Sequence, residues 1–148
     1  MPTALMTGTK GLTSMETVEI DRQDEELIEA ATEVLRKNYT DGRHTVGAAV
    51  RCGSRQIYTG VNIESCGYGP CAEPIALGAA ISAGEREFVA IVAVGARPEG
   101  YAILSPCGNC RQMLLDYAPE ALVILETNDK RVKARVLELL PAAYGNFD

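Results

Sequence analysis

Two short segments of the 148-residue chain hold residue types that can do chemistry together, Cys71-Ala72-Glu73 and Cys107-Gly108-Asn109-Cys110. Cysteines three apart on a helix share a face, so Cys107 and Cys110 can aim both sulfurs at one object. A helix N-terminus at that point offers unpaired N–H groups and partial positive charge, which favour thiolate over thiol. Two chemistries use such a pair. A redox couple needs only the two sulfurs and a thioredoxin-like setting, whereas zinc needs a third ligand and usually a fourth. Cys71 can be the third. Three sulfurs leave one tetrahedral position for water, the form of a catalytic zinc rather than a structural one. Cys52 or Cys66 would close that position in the alternative, structural reading; small apolar packing accounts for both without a metal.

Glu73 separates these readings. A carboxylate beside a metal ligand suits proton transfer if a closed, water-poor pocket raises its pKa. A structural site has no use for it, and the plain alternative is an acidic residue complementing the dipole of a surface helix. On an ideal helix residues 71 and 73 diverge by about 200°. Both can face one centre only if Cys71 occupies a non-helical cap. Pro74 fits the first turn that would follow, because the N–H it lacks has no intrahelical partner there.

The elements that must position these residues follow from periodicity. Leu27, Ile28, Ala31, Val34 and Leu35 recur at helical spacing behind an N-cap at Asp21 or Asp24. Residues 46–50 and 56–61 read as strands of a hairpin turning at Gly53 and Ser54. A helix is predicted from Cys71 to Ala83, ended by Gly84, then a covered strand over residues 88–94. A third helix follows Pro106 with Cys110, Met113, Leu114 and Tyr117 on one face, then a strand over 121–126 and a terminal helix over 132–140. The order α-β-β-α-β-α-β-α implies a sheet with helices on both sides. Residues 1–20, rich in Thr, Gly and Ser, read as a flexible leader, with Met6 or Met15 as alternative starts, before a single domain over 21–148.

Composition narrows the partners. Fourteen Lys+Arg against twenty Asp+Glu give a net charge of −6, which argues against a polynucleotide partner. Hydrophobic residues at 47% and charged residues at 23% exclude wholesale disorder. The longest strongly apolar stretch, residues 88–96, is too short for a bilayer. The first twenty residues hold only Lys10 as a basic group and no signal-like apolar core. The five cysteines do not form an even disulfide set. A cytoplasmic protein is expected.

Together the segments resemble the zinc-dependent cytidine deaminase superfamily. Its signature is His or Cys, one residue, Glu, and later Pro-Cys-x-x-Cys. Here the second part is Pro106-Cys107-Gly108-Asn109-Cys110, and cysteine in first place resembles the branch acting on free cytosine nucleosides. Val46-Gly-Ala-Ala-Val50, Val61-Asn-Ile-Glu64, Ser105 to Gln112 and Leu139-Leu-Pro141 extend the resemblance from about residue 24 to the C-terminus. It implies a three-layer α/β/α sandwich around a central mixed five-stranded sheet. It implies one Zn²⁺ per chain on Cys71, Cys107 and Cys110, and hydrolytic removal of the 4-amino group of a cytosine nucleoside. Glu73 would take a proton from water, protonate ring N3 and deliver a proton to departing ammonia. Asn62 and Glu64 match residues that bind a ribose hydroxyl, and their i, i+2 spacing at a strand end shares a face; a turn asparagine and a solvated glutamate are the alternative. The Ala72 N–H would meet the pyrimidine carbonyl, and the Ser105–Pro106 backbone the amino group. Arg111, beside the last ligand, would balance thiolate charge; an exposed arginine is the alternative.

Three departures concern the substrate. Pro74 stands where the family usually has Arg, and His44-Thr45 where it usually has Phe-Pro. His44, the sole histidine, would stack on the pyrimidine or lie at a surface strand entry. The interval from Asn62 to Cys71 is nine positions, two fewer than in typical cytidine deaminases. That short interval, Gly69-Pro70-Cys71-Ala72-Glu73 and Glu138-Leu-Leu-Pro-Ala-Ala-Tyr144 resemble blasticidin S deaminase, which acts on a cytosine nucleoside antibiotic; Glu64 stands where that enzyme has an aromatic residue. The expected substrate is therefore cytidine, deoxycytidine or a blasticidin S-like nucleoside. The alternatives are a zinc-stabilised nucleoside-binding protein without turnover and a deaminase of another amino-heterocycle. The resemblance also implies a homotetramer in which Tyr144 or Phe147 reaches a neighbouring site; ordinary tail aromatics are the alternative.

Overall fold

Alternation of small and branched residues along the strands gives the sheet two apolar faces, and each face selects its helices. The computed structural model describes residues 15–145; Phe147 lies outside them. The strands are β1 Val18–Glu19, β2 Val46–Cys52, β3 Ile57–Val61, β4 Phe88–Arg97, β5 Gly100–Leu104, β6 Leu122–Thr127 and β7 Lys130–Arg135. The helices are α1 Arg22–Asn38, α2 Ala72–Ser82, α3 Gly108–Tyr117 and α4 Val136–Leu139. Ala49, Val92, Val94 and Ile124 pack on Leu27, Ile28, Ala31 and Leu35 of α1. Their strand neighbours Ala48, Val50, Ala93 and Leu125 face the other way, onto α2, α3 and α4. The result is a three-layer α/β/α sandwich.

The sheet has seven strands rather than five, in the order β1-β7-β6-β4-β2-β3 with β5 also paired to β4. β4 is ten residues long, and β2 runs antiparallel along one of its edges. Its other edge is divided. Ala90 and Ile91 pair in parallel with Leu122 and Val123, and Ala93 to Arg97 pair antiparallel with Leu104 to Gly100. Ala93, just past the point where that edge changes partner, lines the cavity described below together with its β5 register partner Leu104.

Three strands escape the periodicity argument. Residues 132–140, read as one helix, are the end of β7 followed by the four-residue α4. β7 pairs with β6 through a two-residue loop, Asn128-Asp129, both at positive φ (51° and 62°), the backbone form whose twist suits a hairpin. β5 returns after a short turn and carried no distinct pattern. β1 pairs Val18 and Glu19 with Lys133 and Val132, so order begins before residue 20, inside the stretch read as leader.

Local signals at α1 act as expected. Asp21 is the N-cap, and Asp24 returns the bond to the Asp21 N–H in a reciprocal capping box. Asp24 does more, being fully buried (0% exposed). It accepts from Lys133 Nζ at 2.6 Å and Arg51 Nη2 at 3.3 Å, while Arg51 also donates to the Gln23 carbonyl at 2.9 Å. One carboxylate thereby ties α1 to β2 and β7. Gly60 lets α2 lie close on β3: a Cβ there would stand 2.7 Å from the Ala76 nitrogen. Among the described residues no helix is long and apolar enough to cross a membrane.

Candidate active site

Two helix starts of the same form create the centre. Cys71 caps α2 with φ −63° and ψ 171°, and Cys107 caps α3 with φ −70° and ψ 172°. Both are extended, so each sulfur leaves its helix axis and turns toward the other. This is the non-helical cap that lets Cys71 and Glu73 face one cavity. Cys110 enters from the first turn of α3 and is buried.

The three Sγ atoms lie within 4.8 Å of one another, with Cys71 and Cys107 3.5 Å apart. Sulfurs bound at about 2.3 Å to one tetrahedral ion stand about 3.8 Å apart, so this donor set fits zinc. A third sulfur this close also tells against a two-cysteine redox couple. Cys52 lies in the core and Cys66 on the surface, and neither joins the group.

Burial pushes up the thiols of Cys71 and Cys110. At Cys107 burial acts the same way, but hydrogen bonds from the Cys110 and Asn109 backbone and from the neighbouring thiols outweigh it and hold that thiol below its ordinary value. The α3 N-terminus thus favours charge on the most exposed sulfur. Glu73 is 5% exposed and its carboxyl is raised by burial. Among the described residues no cation pairs with it.

A cavity of about 240 Å³ opens over the centre. Cys71, Cys107, Glu73, Ala72, Asn62, Glu64 and Ser105 all line it. Sequence reasoning missed the rest of the wall: Thr45, Val46, Gly69, Pro70, Ala93 and Leu104. Ala93 and Leu104 are register partners of β4 and β5, a pairing that no local pattern announces.

Asn62 is 6% exposed and mostly engaged. Its Oδ1 accepts from the N–H groups of Thr45 (2.8 Å) and Val46 (3.0 Å), and its Nδ2 donates to the Arg43 carbonyl (3.2 Å). One amide N–H is left for a ligand. His44 is not in the cavity wall; its Nδ1 meets the Asn62 carbonyl at 2.8 Å, which places it behind the wall as a brace. Arg111 reaches no sulfur. Its guanidinium donates to the Pro106 carbonyl, the Leu139 carbonyl and Ser105 Oγ at 2.9, 2.8 and 2.9 Å, fixing the segment that leads into Cys107. Tyr144 is 89% exposed, outside the cavity of its own chain, and its carbonyl accepts from Gln112.

Three sulfurs at paired helix starts, with an unpaired buried carboxylate in the same cavity, define a zinc-dependent hydrolase. Residues 21–126 match the cytidine and deoxycytidylate deaminase zinc-binding region, and the chain belongs to that family. It is 42% identical to a blasticidin-S deaminase of Bacillus cereus over 137 residues, covering 88% of this chain and 98% of that one. It is 36% identical to a cytidine deaminase of Sporosarcina psychrophila, over 84% and 93% of the two chains. Among solved structures, the cytidine deaminase of Mycobacterium tuberculosis superposes with a TM-score of 0.69 at 31% identity, over 85% of this chain and all of that one. That of Burkholderia pseudomallei gives 0.70 at 32%, over 84% of this chain and all of its own.

Proposed function

We propose that the protein hydrolyses the 4-amino group of a cytosine nucleoside, consuming water and releasing the uracil form and ammonia. The observation that carries this reading is Glu73, a buried carboxyl without a cation partner among the described residues, in the cavity that Cys71 and Cys107 also line. One Zn²⁺ on Cys71, Cys107 and Cys110 would supply the Lewis acidity that makes water a nucleophile near neutral pH.

The chain supplies position and proton transfer. Glu73, its pKa raised by burial, is suited to accept a proton from the attacking water, pass one to ring N3 and give one to the leaving ammonia. The Ala72 N–H meets the pyrimidine carbonyl, and the Ser105–Pro106 backbone receives the amino group, held in place by Arg111. The free amide N–H of Asn62 and the Glu64 carboxylate take a sugar hydroxyl. His44 braces Asn62 and does not stack on the base.

The exposure of Tyr144 supports a homotetramer in which it reaches a neighbouring site; a monomer on sedimentation would remove that part of the reading. Three cysteines used as free ligands suit a reducing, cytoplasmic compartment.

The test follows ammonia release from cytidine, deoxycytidine, cytosine and blasticidin S. Glu73→Ala keeps its zinc and loses turnover, and Cys107→Ser loses zinc from a wild-type content of one per chain. Turnover that survives Glu73→Ala removes Glu73 from the mechanism. Release from no substrate at all leaves a zinc-stabilised binding protein.

A further inference from the structure

A second hollow of about 460 Å³ adjoins the cavity over the sulfurs, and Glu64 lines both. Its other walls are Gly42 and Arg43 on one side and Ser65 and Cys66 on the other. Both walls are fixed. Thr40 and His44 exchange backbone bonds around Arg43, whose own N–H donates to the Thr40 carbonyl at 2.9 Å. The Arg43 carbonyl receives Asn62 Nδ2, so the wall of the first cavity holds the wall of the second. Opposite, Ser65 Oγ donates to the Tyr68 carbonyl at 2.6 Å and accepts from the Tyr68 N–H at 3.0 Å, closing a tight turn.

Arg43 differs from the arginines around it. Every other arginine of the described residues except Arg55, on the β2–β3 turn, has an ion pair or a side-chain hydrogen bond. The Arg43 guanidinium has neither. It is a free, planar, permanently charged fork at the mouth of the active site of an acidic chain. A base at the sulfur centre and a sugar at Asn62 and Glu64 would direct any further sugar substituent into this hollow.

We infer that the hollow is a subsite for an anionic group, carboxylate or phosphate, on the sugar side of the cytosine nucleoside, with Arg43 as its specificity-determining residue. This rests on the function proposed above. Glu64 takes the hydroxyl and Arg43 the anion, so opposite charges on facing walls fix which way the sugar lies. Guanidinium binds both oxyanions bidentately.

The experiment compares kcat/KM for cytidine, cytidine 5′-phosphate and the 5′-carboxylic acid of cytidine, in the wild type, Arg43→Gln and Arg43→Lys. The wild type favours at least one anion over cytidine. Arg43→Gln lowers the anion-to-cytidine ratio about 10-fold, chiefly through KM, and Arg43→Lys restores part of it. High salt lowers the same ratio in the wild type. Which anion gains identifies phosphate or carboxylate as the group taken. An unchanged ratio in Arg43→Gln, or equal losses for all three compounds, overturns the subsite. Should neither these compounds nor blasticidin S be turned over, the function proposed above fails, and the subsite is then judged by calorimetric binding of cytidine 5′-phosphate and the 5′-acid against cytidine. Arg43-dependent preference for an anion there upholds the subsite; equal affinities overturn it.

Discussion

Asp24 and Glu73 start from the same local signal, an acidic residue in the first turn of a helix, and both end buried on opposite faces of one sheet. Their surroundings differ. Asp24 has two cations, Lys133 and Arg51, and a place in the capping box. Glu73 has the sulfur cluster beside it, a cavity and no cation among the described residues, and its carboxyl is raised by burial. The helix dipole accounts for either residue equally well and so distinguishes neither. What separates a structural carboxylate from one left open to proton transfer is the set of partners that the rest of the chain brings to it.

The sharpest way to break that contrast is to neutralise each acid in turn. Glu73→Gln should lower kcat by about 10²–10⁴-fold while zinc content and denaturation midpoint stay at wild-type levels. Asp24→Ala should do the opposite, costing about 3–5 kcal/mol in urea unfolding because two cations lose their partner, with kcat of the folded fraction retained. A Glu73 variant that unfolds, or an Asp24 variant that loses rate at wild-type stability, would invert the assignment.

A smaller effect sharpens the comparison on the Asp24 side. The Asp24 N–H, and then Lys133, hold the Asp21 carboxyl below its ordinary value. Lys133 is held above its ordinary value, because Asp24 and Asp21 outweigh the burial that would lower it. The depressed acid contributes stability above its unfolded pKa of about 3.8, lost as pH falls through the folded value. The raised base contributes fully below about 10.5 and loses its contribution as pH rises through the folded value. Stability from this cluster is therefore flat near neutrality and falls at both ends. Lys133→Met should shallow both falls in denaturation curves collected across pH, and wild-type slopes in that variant would place the losses elsewhere.

The zinc ligands and Glu73 were legible because their spacing is short and their chemistry constrains them: three sulfurs and one carboxylate at helix starts have few other uses. Helix α1 and the β2–β3 hairpin were legible from apolar period and turn residues. β7 was not, because Val132 and Ala134 between charged residues fit a helical reading as well as a half-buried strand until the Asn128-Asp129 turn fixes the pairing. The buried role of Asp24 was hidden for a related reason, since Lys133 is 109 residues away in sequence. Arg111 was seen as a charge near the sulfurs, but its three oxygen partners include Leu139, which only the packing of α4 on α3 supplies.

Sequence by itself determined the donor atoms, the acid beside them and the helix starts that present them, because these depend on residue type and on neighbours a few positions away. Tertiary structure decided that Cys71 meets Cys107, that Asn62 is braced by residues 43–46, and that Asp24 is neutralised whereas Glu73 is not. Each of those outcomes depends on strand register and on contacts far apart along the chain. Burial and pairing set a carboxylate's chemistry, and neither is a property of the residue alone.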